Sequence, residues 1–115
     1  MAAKRTEIKK SINEDYISRM ILSKIPKDVQ DLRVGFGFFF EYFIKELKQI
    51  TNCINTKIQT LTYFGFKQSE LKKFIYNQKP NGIDRMIPIG RALEFSEIWD
   101  GYDLIRNLSK IVDLK

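Results

Sequence analysis

Apolar positions along the chain follow two rhythms in alternation. Ile12, Tyr16, Ile17, Met20 and Ile21 recur at the spacing of one helical face. Ser11 and Glu14 have the spacing of a capping box, in which a hydroxyl and a carboxylate satisfy each other's orphan amides, so a helix is predicted from there. Pro26 ends it, because its ring cannot continue the hydrogen-bond ladder. The stretch LRVGFGFFFEYF (32–43) is almost continuously apolar, which predicts a strand buried on both faces. Gly35 and Gly37 fall on one side of that strand and imply close approach of another backbone or a helix.

The rhythm then switches three more times. IKELKQITNCI (44–54) sets Ile44, Leu47, Ile50 and Ile54 at helical spacing, and KIQTLTYFGF (57–66) is β-branched and aromatic, hence a strand. QSELKKFIYNQ (68–78) is a predicted helix with Ser69 as N-cap and Leu71, Phe74 and Ile75 as its buried side. After the turn residues Pro80-Asn81-Gly82 comes a short strand, RMIPI (85–89), with Pro88 near its end or on an edge. YDLIRNLSKIV (102–112) brings Leu104, Ile105, Leu108, Ile111 and Val112 onto one helical face. Strands alternating with helices predict an α/β fold, with a short parallel sheet of about three strands and flanking helices. Residues 1–115 then form one domain, or a piece of a larger one, with an N-terminal helix and connector over 1–31 and a βαβαβ run with a tail helix over 32–112.

Charge changes this picture little. The chain has 115 residues and a net charge of +6, but 20 Lys/Arg and 14 Asp/Glu are interleaved evenly over both halves. A phosphate-binding module concentrates its cations on one face or arm, so no nucleic-acid partner is expected. The single Cys53 rules out an internal disulfide, and with no His in the sequence neither zinc-type nor Ser/His or Cys/His chemistry can be built. An unpaired thiol suits a reducing cytoplasm. The start MAAKRTEIKK lacks an apolar stretch of the kind a signal peptide needs, and VGFGFFF is far too short to span a membrane.

Candidate chemistry gathers in GIDRMIPIGRALEFSEIWDGYDL (82–104), which contains three glycines and the only Trp. Asp84, Asp100 and Asp103 lie near Arg85 and Arg91 and could do acid–base work, although Asp beside Gly or ahead of a helix is more often a turn former or a cap. Trp99 and Tyr102 could line an apolar ligand channel, or pack as a lid over the end of the sheet. The spacing GFG (35–37) lies within a predicted strand and lacks a third glycine, so it reads as packing rather than a dinucleotide cradle. Cys53 sits near a predicted helix C-terminus, where a thiolate is disfavoured, and reads as a small buried hydrophobe.

KIQTLTYFGF, followed by GIDRMIPIGRALEFSEIWDGYDLIRNLSKI, resembles the C-terminal segment of the luminescence-type long-chain fatty acyl-CoA reductases of the aldehyde dehydrogenase superfamily. The resemblance is clearest over 57–112 and weaker over 32–56. It implies a three-layer catalytic domain of aldehyde dehydrogenase type, fatty acyl-CoA as substrate, NADPH as cofactor, fatty aldehyde as product, and a homo-oligomer when complete. It further implies that Trp99, Asp100, Gly101 and Tyr102 lie near the acyl pocket or brace its wall, above the strand end at Ile87 to Gly90. The family's catalytic cysteine lies in a motif upstream of the segment matched here, and Cys53 does not replace it. The Gly-rich cofactor turn is missing too, and neither Asp28 nor Asp31 takes the role of the family's ribose-holding Glu. The expectation is a chain with no catalytic residue, cofactor site or metal site of its own, inactive alone. The alternative is a free-standing small α/β interaction module without catalysis.

Overall fold

The computed structural model describes residues 7–115. The part of the expected N-terminal helix and connector that falls on residues 1–6 lies outside them. The chain is of α/β class with mixed sheets and few helices, and it divides into two compact units, Met1–Ile54 and Asn55–Lys115.

In the first unit the helix expected behind Ser11 is a β-hairpin. Strand β1 (Ile8–Glu14) runs antiparallel to β2 (Ile17–Leu22), with Glu14 opposite Ile17 and a bulge between Ile8 and Lys10. Ile8, Ile12, Ile17 and Ile21 are β-branched and stiff at χ1, which favours the pleated surface over a helix. Asp15 opens the two-residue turn at φ +46°, a left-handed conformation that Asp tolerates. The apolar spacing that mimicked a helical face is therefore two strands read through a turn.

The long buried strand expected over 32–43 is also shorter than its composition suggested. A 3₁₀ turn takes Val29–Leu32, and only β3 (Phe38–Glu41) is extended, parallel to β2 with Ser18 opposite Phe38. Phe38 and Phe39 remain about half exposed, so the strand is not buried on both faces. Gly35, Phe36 and Gly37 all have positive φ and form a turn ahead of β3 instead of lying inside it. The close approach inferred from the glycines exists at one of them. The Ser18 amide donates to the Gly37 carbonyl at 2.9 Å, and a Cβ on Gly37 would overlap the Tyr16 carbonyl oxygen. Gly35 faces open space. Arg19 grips the Glu41 carboxylate through two hydrogen bonds of 2.6 and 2.9 Å and so ties β2 to β3.

The helix expected over 44–54 is a 3₁₀ helix, Leu47–Cys53. The Gln49 side-chain oxygen accepts from the Lys45 and Glu46 amides at its start. Ile50, Thr51 and Asn52 are weak α-formers, which leaves the tighter turn favoured. Among the described residues of this unit, the buried apolar side chains are Leu22, Cys53 and Ile54.

The second unit is closest to expectation. Strand β4 (Thr60–Tyr63), helix α1 (Gln68–Gln78) and β5 (Arg85–Pro88) form a βαβ unit, with Leu61 opposite Met86 in a parallel ladder. The N-cap of α1 is Lys67 rather than Ser69, and the Glu70 carboxylate accepts the Lys67 amide at 2.7 Å. Lys79 closes the helix in the left-handed conformation, its amide bonded to the Ile75 carbonyl, and Pro80 prevents continuation. Leu71 and Phe74 are buried, worth about 1.5–3 kcal/mol each, while Ile75 is only partly covered. Successive residues of a strand face opposite ways. Met86 accordingly lines a cleft with Leu71 and Ile75 of α1, and Arg85 points to the other face.

Beyond β5 the tail helix predicted over 102–112 is confined to α2 (Leu104–Leu108), preceded by a short hairpin of β6 (Ile98–Trp99) and β7 (Tyr102–Asp103). Ile105, Leu108, Ile111 and Val112 are all exposed, so their helical spacing does not correspond to a buried face. The strands expected to share one parallel sheet fall into separate ladders, since β3 pairs with β2 and β4 with β5. Among the described residues no side chain is completely buried, and no helix is long and apolar enough to cross a membrane.

Candidate functional site

The stretch 82–104 folds around one side chain, Arg85. Its backbone is anchored to β4, with the Arg85 amide donating to the Gln59 carbonyl at 3.1 Å and the Ile89 amide to the Tyr63 carbonyl at 2.9 Å. The chain then turns at Gly90, where the Arg91 amide donates to the Pro88 carbonyl at 3.1 Å, and doubles back past β5. On this return, Arg85 Nη1 donates to the Ala92 carbonyl at 3.2 Å and Nη2 to the Glu94 carbonyl at 2.8 Å. The guanidinium also lies over the Trp99 ring, 4.2 Å from its centroid. A planar cation with a rigid donor fork can hold two carbonyls and an aromatic face together, which a lysine ammonium cannot. Phe95 packs on the same ring at 5.3 Å between centroids, tilted by 32°.

Trp99 is carried by the β6–β7 hairpin, with Ile98 opposite Asp103 and Trp99 opposite Tyr102. Asp100 and Gly101 form its loop, with φ of +51° and +80°. Two left-handed residues in a two-residue loop are the signature of a type I′ turn, for which Asp-Gly is a favoured pair. The Asp84 carboxylate comes so close to Gly101 that a Cβ there would sit 3.2 Å from Oδ1. Asp103 caps α2 by accepting the Arg106 amide at 3.0 Å. The turn and cap roles foreseen for Asp100 and Asp103 are therefore the roles these residues play.

Arg91 and Glu94 close the outer side of the return loop as an ion pair with contacts of 2.6 Å. The hydrogen bond from Arg91 holds the Glu94 carboxyl below the usual carboxylate range, and that from Glu94 raises the Arg91 guanidinium. Both side chains are exposed, so the pair fixes loop geometry more than it adds stability. Arg85, Arg91 and Asp103 spend their side chains on loop, ring and helix-cap contacts, and Asp100 supplies the left-handed turn of the hairpin.

Of the expected pocket residues, Trp99 and Asp100 are half-buried, and Gly101 and Tyr102 are exposed. None of them lines either of two clefts found in this unit. One, of about 550 Å³, lies between α1 and the sheet and is bounded by Tyr63, Leu71, Ile75, Tyr76 and Met86. Another, of about 640 Å³, runs between Phe95 and the Leu104, Ile105 and Leu108 side of α2. What the sequence did not reveal is the grip of Arg85 on Ala92, Glu94 and Trp99. A cation and a ring far apart in the chain carry no spacing rule, whereas Asp-Gly in a hairpin does.

Cys53 is 6% exposed, its thiol donating to the Ile50 carbonyl at 2.9 Å. Burial pushes the thiol pKa up, the opposite of what a nucleophile requires. The GFG turn leads into a strand instead of a helix, so it offers no row of helix amides to a dinucleotide. Among the described residues no three His, Cys, Asp or Glu side chains gather as a metal site. Compared with known proteins, the chain matches no family model, no curated sequence and no solved structure.

Proposed function

We propose that the chain is the C-terminal portion of a cytoplasmic long-chain fatty acyl-CoA reductase, inactive alone, whose task is to shape the wall of the acyl pocket. The observation that carries this reading is the mutual dependence of the motif residues. The succession GIDR–IPIG–WDGYDL, on which the family resemblance rests, is one spatial device in which Arg85 holds Trp99 and Asp84 abuts Gly101. A segment kept for shape would have this character, with cations and carboxylates spent on backbone and ring contacts. In this reading β4, α1 and β5 belong to the three-layer catalytic domain of aldehyde dehydrogenase type. The complete enzyme transfers the acyl group from CoA to a cysteine supplied by the rest of the protein. NADPH held by the rest of the protein would supply the hydride which, with a proton from solvent, takes the acyl group to aldehyde and leaves the thiol free. The residues present here do not fit a cofactor cradle, so no step of that chemistry is assigned to them.

A second reading, a small α/β interaction module without catalysis, is supported by the large apolar side chains left exposed in the second unit, among them Phe64, Tyr76, Leu93 and Phe95. The two are separated by mixing isotope-labelled chain with a reductase of the family truncated before its own last catalytic strands. The reductase reading expects binding that broadens the Trp99 indole and Gly101 amide signals. A spectrum left unchanged at high excess rejects it.

A further inference from the structure

We propose that the outer edge of β4 is a strand-pairing surface, and that the partner it fits is the same edge of a second copy of this chain. The phase of the β4–β5 ladder settles which backbone groups point outward. Gln59 and Tyr63 carbonyls accept from Arg85 and Ile89, so alternate residues 59, 61 and 63 bond toward β5. The amides and carbonyls of Thr60 and Thr62 point away. On β5 the outward residues are Met86 and Pro88.

The two outer edges differ. Pro88 has no N–H, and its carbonyl is taken by the Arg91 amide, so the β5 edge is closed to strand addition. On β4, no described residue bonds the outward backbone groups of Thr60 or Thr62. The sequence around them is uncharged from Ile58 to Phe66. By contrast β1, an edge strand of the first unit, carries Lys9, Lys10 and Glu14 and a bulge, the usual protections against unwanted pairing.

The β4 edge is self-complementary. An antiparallel pairing about a two-fold axis through Leu61 sets Leu61 against Leu61 of the second copy, Thr60 against Thr62, and Gln59 against Tyr63. Thr60 and Thr62 then exchange both backbone hydrogen bonds, while the Leu61 pair is of the close, non-bonded kind, with Cα atoms about 4.5 Å apart. Thr–Thr and apolar pairs are favourable cross-strand neighbours. Lys57 and Lys67 fall opposite Gly65 and Asn55, so no like charges meet. A slip of one residue would oppose groups already bonded to β5. A slip of two one way would require Phe64, which lies in the bend at Gly65, where φ is +79°, and the other way Ile58, whose amide and carbonyl are already bonded to Asn55 and Ile83. The result is a four-stranded sheet with both copies of α1 on one side, replacing a two-stranded parallel pair that is marginal by itself. This pairing concerns the chain alone and does not rest on the reductase reading.

Sedimentation equilibrium from micromolar to submillimolar concentration tests it. The chain should pass from monomer to dimer, and the Leu61→Cys variant should form an intermolecular disulfide under mild oxidation, with the buried Cys53 of the unaltered chain as control. Thr60→Lys with Thr62→Lys, at a half-exposed and an exposed position, should raise the dissociation constant at least about tenfold while leaving circular dichroism unchanged. A monomer throughout the range overturns the proposal. So does a dimer that tolerates both lysines, or one in which Leu61→Cys does not cross-link.

Discussion

The guanidinium of Arg85 lies 4.2 Å from the centre of the Trp99 ring while donating to two backbone carbonyls of the intervening loop. One side chain on β5 thus holds both the return loop and the hairpin behind it. Arg85→Met should lower stability by about 1–2 kcal/mol and red-shift Trp99 emission as the ring becomes wetter. Arg85→Lys should recover only a small part of the loss, because an ammonium lacks the planar fork. Denaturant unfolding followed by Trp99 fluorescence measures both effects, and a lysine variant indistinguishable from wild type would mean that charge alone matters.

Gly37 and Gly35 share the same backbone region, with φ of +80° and +76°, but only Gly37 meets a neighbour, the Tyr16 carbonyl. Gly35→Ala should therefore cost only the left-handed penalty of about 1–2 kcal/mol. Gly37→Ala adds a clash that must push β3 from the hairpin turn and stretch the Ser18–Gly37 hydrogen bond. Hydrogen exchange at the Ser18 amide should accelerate in Gly37→Ala and not in Gly35→Ala. Equal effects would show that the approach of the two backbones is of no consequence.

Glu41 reports on the same sheet through pH. The hydrogen bond from Arg19 holds its carboxyl below the usual range, and burial opposes this to a lesser degree. A depressed folded pKa stabilises the ionised fold above the unfolded value of about 4.3 and loses that contribution as pH falls through the folded value. Glu41→Gln should be less stable than wild type at neutral pH, with the difference closing below about pH 4. Glu7 and Glu94 are lowered too, but they are common to both proteins, so the difference isolates Glu41. A stability difference independent of pH would contradict the assignment.

Cys53 should be slow to react. Its thiol is buried, bonded to the Ile50 carbonyl and raised in pKa, so modification by a disulfide reagent requires local opening. The rate in native chain at mildly alkaline pH should be lower than in denatured chain by about a hundredfold or more, in line with an opening cost of a few kcal/mol. Reaction at the denatured rate would mean that the 3₁₀ helix Leu47–Cys53 does not cover it.

How far the sequence disclosed all this varied with the range of the interactions involved. The extent of helix α1 was legible, though its N-cap was misplaced at Ser69, because Leu71 and Phe74 share a face and Pro80 stops the chain just beyond its last turn. The β4–α1–β5 order followed from the change of rhythm on either side, and Asp100-Gly101 announced its own turn. Residues 8–22 misled because Ile12, Ile17 and Ile21 satisfy helical spacing when a two-residue turn is counted as part of the period. The continuous apolarity of 32–43 overstated β3, since the left-handed turn at 35–37 interrupts it and leaves Phe36 in solvent. Ile111 and Val112 kept a helical spacing that no packing partner rewards. The site was legible as a place but not as a mechanism of holding, because Arg85 reaches Trp99 only through the tertiary fold.

In the proposed reading, this chain supplies shape to a catalytic centre completed by other residues. That reading is tested most directly by grafting residues 57–115 onto a family reductase from which the corresponding C-terminal segment has been removed, and measuring NADPH-dependent aldehyde formation from long-chain acyl-CoA. The account predicts that the graft restores aldehyde formation, that Trp99→Ala within it lowers the rate by about ten- to a hundredfold, and that the chain alone forms none. A graft that folds and binds NADPH yet makes no aldehyde, or a chain that makes aldehyde unaided, would contradict it.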